Sequence, residues 1–136
     1  MTFSPFSRWR LSASYSYLNL KIDPAGQDLN RGLHYDGATP QHQFALSSYL
    51  DLPGNFEIDA HFRRLGTLQR LPESPTGEGV PAYSELDVHL SWRASDHLRV
   101  SVVGQNLLHR EHVEFGTPPG QGVIRRGLYA KAVWEF

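Results

Sequence analysis

The chain has no cysteine, which removes disulfides, thiolate metal sites and cysteine nucleophiles together. It also has no uninterrupted apolar run near the roughly 18 residues that a membrane-spanning helix needs, and its mean hydropathy is −0.42. A helical membrane protein is excluded; a β-barrel is not. Charge of one sign is lacking too. Thirteen Lys and Arg stand against fourteen Asp and Glu, for a net charge of −1, and no basic block is longer than a pair. A nucleic-acid binder that relies on counterion release would need more. The first ten residues, Met1 to Arg10, lack the apolar stretch and small-residue cleavage site of a signal peptide. A cytoplasmic chain, a mature form and a fragment all fit that.

What is present is 136 residues with 40 % hydrophobic and 12 % aromatic content. That suffices for one domain with either a core or a lipid-facing surface. Proline and glycine mark out six segments of alternating polarity: Trp9 to Tyr17, Gln43 to Leu52, Phe56 to Arg63, Glu85 to Ala94, Leu98 to Gln105 and Gly127 to Phe136. All nine prolines lie outside them, and of the twelve glycines only Gly104 and Gly127 lie inside. Taking every second residue from Trp9, Phe44, Phe56, Leu86, Leu98 and Leu128 gives 26 apolar residues in 28 positions. The interleaved positions hold 5 apolar residues in 27. A period of two at this contrast specifies strands with two chemically different faces, not helices.

The connections alternate as well. Pro53-Gly54-Asn55 and Ala94-Ser95-Asp96-His97 are short. In the first, proline sets φ at the second turn position and glycine supplies a positive φ at the third. Asp23 to Pro40, Gly66 to Ala82 and His109 to Gly122 are long and rich in Gly and Pro. The expected fold is all-β, an antiparallel up-and-down meander of about six strands with its long loops at one end. Alternation alone leaves open which face is wet: a soluble barrel lines its interior with the apolar face, an outer-membrane barrel turns that face to lipid. Three features favour the membrane. Trp9, Phe56, Trp92, Trp134 and Phe136 all fall at the short-turn end of the apolar face, where an interfacial aromatic belt belongs. Short turns at one end and long loops at the other match outer-membrane barrels. The second face carries Glu57, Asp59, His61 and Arg63 on one strand and Glu85, Asp87, His89 and Arg93 on the next, with both signs mixed so that opposite charges can meet.

Residues 83–94 (YSELDVHLSWRA), 98–108 (LRVSVVGQNLL), 112–116 (HVEFG) and 126–136 (RGLYAKAVWEF) resemble the last strands of TonB-dependent outer-membrane receptors. The GQNLL strand end and the closing strand with its terminal Phe136 carry the resemblance most specifically. The resemblance implies a barrel of about 22 strands with a plugged lumen. Such receptors import siderophores, cobalamin, sugars or peptides with energy from the inner-membrane TonB complex. On this reading residues 1–136 are the C-terminal part of the barrel, with the plug and earlier strands absent, because barrels have no fewer than about eight strands. The implied location is the bacterial outer membrane and the implied partners are outer-membrane lipid, the barrel assembly machinery and, through the missing plug, the TonB complex. The ligand is unnamed by these residues, and neither cofactor nor enzymatic activity is implied.

Three sets of residues are candidates for function. Leu128, Ala130, Ala132, Trp134 and Phe136 resemble the signal read by the assembly machinery, with Ala130 where many relatives have glycine; the alternative is an ordinary amphipathic terminal strand. Trp9, Phe56, Trp92 and Trp134 form the interfacial belt. Asp59, His61, Arg63, Glu85, Asp87 and His89 form a lumenal polar cluster, whose plainer role is pairing inside a wide, wet barrel. His109 and His112, with Glu111 and Glu114 nearby, have a spacing that would suit a metal on a helix, yet they follow a strand into a loop. Ser12, Ser14 and Ser16 find no partners for a catalytic triad, and Gly116 to Gly122 lacks the Lys-Ser/Thr of a phosphate loop. A small soluble β-barrel with an apolar ligand inside is the competing reading, and a barrel enzyme is a weaker third.

Overall fold

A computed structural model describes residues 1–19, 39–68, 79–115 and 122–136, with residues 112–115 described by their backbone alone. The long connections expected at Asp23 to Pro40 and Gly66 to Ala82 lie largely outside the described residues, as do residues 116–121. The strands are β1 (Thr2–Phe6), β2 (Trp9–Tyr17), β3 (His42–Leu52), β4 (Phe56–Leu65), β5 (Tyr83–Arg93), β6 (Leu98–Gln105), β7 (Glu111–Phe115), β8 (Gly122–Arg125) and β9 (Gly127–Trp134). Seven of them form one antiparallel sheet in the order β1-β2-β3-β4-β5-β6-β9, and β7 and β8 pair separately as a hairpin within the long β6–β9 connection.

All six expected strands are present, and the count of about six is corrected upward. β1 escaped detection because it contains Pro5 and a register shift between Phe3 and Phe6. Proline is tolerated on an edge strand, and an extra residue breaks the period of two. The shift has a consequence: Phe3 lies opposite Leu11 and Phe6 opposite Trp9, so both phenylalanines join the apolar face despite their odd spacing. β7 and β8 have only five and four residues and sit within a Gly- and Pro-rich stretch, too short for a periodic pattern to show. β7 also turns part of the segment read as a solvated loop into a strand, from Glu111 onward.

The ladders run without interruption across the sheet. Trp9 lies opposite Leu50, Leu50 opposite Ile58, Ile58 opposite Leu90, Leu90 opposite Val102, and Val102 opposite Ala130. Such a row is what fixes the register, because a one-residue slip of any strand would move its whole apolar set to the polar side. The turn at residues 53–55 carries positive φ at Gly54 (81°) and at Asn55 (63°). Glycine takes that conformation at no steric cost, and Asn is among the few other residues that tolerate it. In the β5–β6 turn the Ser95 hydroxyl accepts the backbone N–H groups of His97 and Leu98, at 3.3 and 3.1 Å.

No apolar core forms between layers: among the described residues the buried hydrophobic side chain is Val80, in an isolated bridge with Leu68. β5 shows which face is enclosed. Ser91 is 2 % exposed while its neighbours Leu90 and Trp92 are 40 % and 41 % exposed. The sheet curls around its polar side and leaves the apolar side outward.

Candidate functional site

The outward face has its aromatic side chains at two levels. At the short-turn end, Phe56 lies directly opposite Trp92 and stacks on it at 5.5 Å between ring centroids and 7° between planes. Phe6 stacks on Trp9 at 6.5 Å, and Trp9 Nε1 donates to Ser48 Oγ at 2.9 Å. Trp134 stacks on His97 at 6.4 Å. Indole and phenyl rings thus present an apolar body outward while at least one polar tip is satisfied, the arrangement that favours a wet–dry boundary. A second group at the long-loop end had not been recognised in the sequence. Tyr15 lies opposite Phe44, Phe44 packs on Phe62 at 6.2 Å, and Tyr15 Oη is 2.8 Å from His42 Nδ1. Trp9 and Tyr15 are six residues apart on β2, about 20 Å along the strand at roughly 3.3 Å per residue. The alternation places these rings on the apolar face but does not by itself distinguish them from its aliphatic positions.

The enclosed face gathers the charged residues. Arg63 lies opposite Glu85, and its Nε donates to Glu85 Oε2 at 2.7 Å. Asp59 lies opposite His89, with Oδ2 3.4 Å from Nδ1. His61 lies opposite Asp87, but its Nδ1 is 3.1 Å from Ser47 Oγ and its ring meets Tyr49 edge-on at 5.4 Å. Arg10 stacks over the same ring, 4.7 Å from the Tyr49 centre. The six polar residues singled out in the sequence therefore share one face and two strands. Four of them make two pairs and His61 and Asp87 turn to other partners, so the six do not form one concerted centre. Asp87 has a partner that the sequence did not reveal: its Oδ1 accepts the backbone N–H of Asn106 at 2.9 Å.

Asn106 explains part of the GQNLL motif. It is 2 % exposed and takes a left-handed φ of 51°, and its Nδ2 donates to Ile124 O on β8 at 3.2 Å. One residue thus joins the enclosed face of β5 to the outer hairpin at the point where β6 leaves the sheet. Gly104, also buried, leaves room for Leu107: a Cβ built at position 104 would lie 2.9 Å from Leu107 Cδ2. Asn106 Oδ1 is buried with no hydrogen-bond partner among the described residues.

β9 occupies one edge of the sheet. Leu128, Ala130 and Ala132 face outward with Gly104, Val102 and Val100 of β6, and Trp134 lies opposite Leu98. The expected strand to Phe136 ends at Trp134, although the Glu135 N–H still donates to His97 O at 2.9 Å. The His97 ring returns the bond, with Nδ1 3.1 Å from Glu135 O. Phe136 lies beyond these contacts, fully exposed. Among the described residues no group of three or more His, Asp or Glu is placed to hold a metal ion.

An antiparallel up-and-down sheet with an apolar exterior and a charged interior is a segment of a β-barrel wall. The family model for TonB dependent receptor-like β-barrels matches residues 2–107, and the chain belongs to that family. The match reaches across the first 80 residues, where the sequence had shown alternation but no signature. Three solved structures place the fold in the same company. The ferric-catecholate import receptor Fiu of E. coli K12 superposes with a TM-score of 0.75 at 19 % identity, over 99 % of this chain and 20 % of that one. The ferric enterobactin receptor PfeA of Pseudomonas aeruginosa gives 0.70 at 12 % identity, over 100 % and 21 %. The siderophore receptor PiuA of Acinetobacter baumannii gives 0.67 at 14 % identity, over 97 % and 20 %. The chain spans about a fifth of the length of these receptors. A comparison with curated protein sequences finds no match.

Proposed function

We propose that this chain is part of the wall of an outer-membrane receptor that takes up a siderophore-like or similarly scarce nutrient. The outward apolar face carries this reading, because it is bounded by rings at both ends and backed by an enclosed charged face. In water such a surface is a liability, since each large apolar side chain moved out of water stabilises by about 1.5–3 kcal/mol. In a bilayer it is the expected exterior of a barrel. Trp9, Phe56, Trp92 and Trp134 then sit at the interface, and Asp59, His61, Arg63, Glu85, Asp87 and His89 line the lumen. Leu128 to Phe136 would be offered to the assembly machinery as an edge strand, whose backbone gives affinity and whose alternate side chains give specificity. The open edges at β1 and β9 support a role as part of a larger barrel, since unpaired backbone groups in lipid cost several kcal/mol each. A plug outside this chain would receive energy from the TonB complex. The siderophore class rests on the names of the structural neighbours and on nothing in these residues.

Refolding the chain tests the membrane assignment. The expected outcome is insolubility in plain buffer and β-structure only in micelles or bilayers. A monodisperse, cooperatively melting monomer in plain buffer would favour the soluble barrel and overturn the proposal.

A further inference from the structure

Among the described residues, three arginines meet one carboxylate at the neck of the β7–β8 hairpin. The Arg126 N–H donates to Arg110 O at 3.0 Å, and Glu111 lies opposite Arg125 in the next rung. This register gathers Arg110, Arg125 and Arg126, with the carboxylate of Glu111, around a cleft of about 580 Å³. Glu111 Oε2 is 3.8 Å from Arg125 Nε, too long for a hydrogen bond and enough to offset one guanidinium only. The neck is also tied down, because Asn106 bonds both Asp87 on the sheet and Ile124 on β8. Guanidinium groups gathered on neighbouring rungs of one ladder can meet a tetrahedral oxyanion by paired, charge-assisted hydrogen bonds.

We propose that this cleft binds a phosphate-type oxyanion, with Arg110, Arg125 and Arg126 as donors and Glu111 as an internal competitor for them. The site stands on the neck's own residues and does not depend on the uptake reading. Its ligand chemistry has two sources, a soluble phosphate compound or a phosphorylated lipid headgroup. The full-length gene product carrying this chain, in nonionic micelles, is titrated with pyrophosphate by calorimetry, and separately with phosphatidic acid doped into the micelles, followed by phosphorus NMR linewidth. Binding of either probe should weaken about tenfold or more in the R110Q/R125Q/R126Q variant, as expected for lost hydrogen bonds between charged groups. It should be unchanged in R99Q/K131Q, which removes charge elsewhere, and should tighten in E111Q. Pyrophosphate binding with this pattern assigns a soluble ligand. The pattern seen with phosphatidic acid alone assigns a headgroup. No binding of either probe, equal loss in R99Q/K131Q, or weaker binding in E111Q overturns the site. Since circular dichroism can follow folding of every variant separately, failure here leaves the barrel reading untouched.

Discussion

Placing an arginine on the outward face gives the sharpest test of which side meets lipid. Val88 is the position of choice. It lies four residues from Trp92 on β5, about 13 Å along the strand at roughly 3.3 Å per residue, and opposite Ala60 and Gly104 on the neighbouring strands. With strands tilted by about 40° that distance projects to about 10 Å of depth, near the middle of an apolar band about 25 Å tall. Arginine at that depth destabilises a barrel by about 2–4 kcal/mol, a factor of roughly 30 to 10³ in the folding equilibrium. Ser14→Arg is the matched control, on the enclosed face opposite Ala45 and exposed. Substitutions at such wet sites stay within about 0.5 kcal/mol. Urea titration of the full-length gene product refolded into bilayers, read by the heat-induced shift in gel mobility, measures both. Equal midpoints for Val88→Arg and Ser14→Arg, or a larger loss for Ser14→Arg, would refute the assignment of faces.

Other substitutions probe the junction and the polar face. Asn106→Ala removes the bond to Ile124 O and a residue suited to positive φ, and should destabilise by about 1–2 kcal/mol. Asn106→Gly restores the φ but not the bond, so hydrogen exchange at β8 should rise in both variants while the global loss is smaller for glycine. Gly104→Ala should cost about 1 kcal/mol or more through its contact with Leu107, and Leu107→Ala in the same chain should reduce that penalty, a coupling that a double-mutant cycle reads directly. Removing Arg63 and Glu85 singly and together should give a coupling below about 1 kcal/mol that shrinks with added salt, because the Arg63 side chain is 52 % exposed.

The residues themselves determined the strands that carry long alternation. Period two is a property of the chain, and a strand such as Phe56 to Arg63 shows it without reference to any neighbour. The same holds for the turn at Pro53 to Asn55, whose φ preferences are local. Membership of one polar face was legible for Asp59, His61, Arg63, Glu85, Asp87 and His89, since parity along two strands of fixed register suffices. The partners of two of them, His61 and Asp87, were not. His61 faces Asp87 across the ladder yet turns to Ser47, and Asp87 instead accepts from Asn106, because a side chain chooses among several neighbours within reach and only their positions settle the choice. β1 was hidden by a bulge, which a strict period cannot register. β7 and β8 were hidden by brevity, since four or five residues carry too few alternations. The inward or outward sense of the sheet was likewise decided in three dimensions: alternation distinguishes two faces, whereas curvature, which arises from the twist and pairing of all the strands together, selects the one that closes.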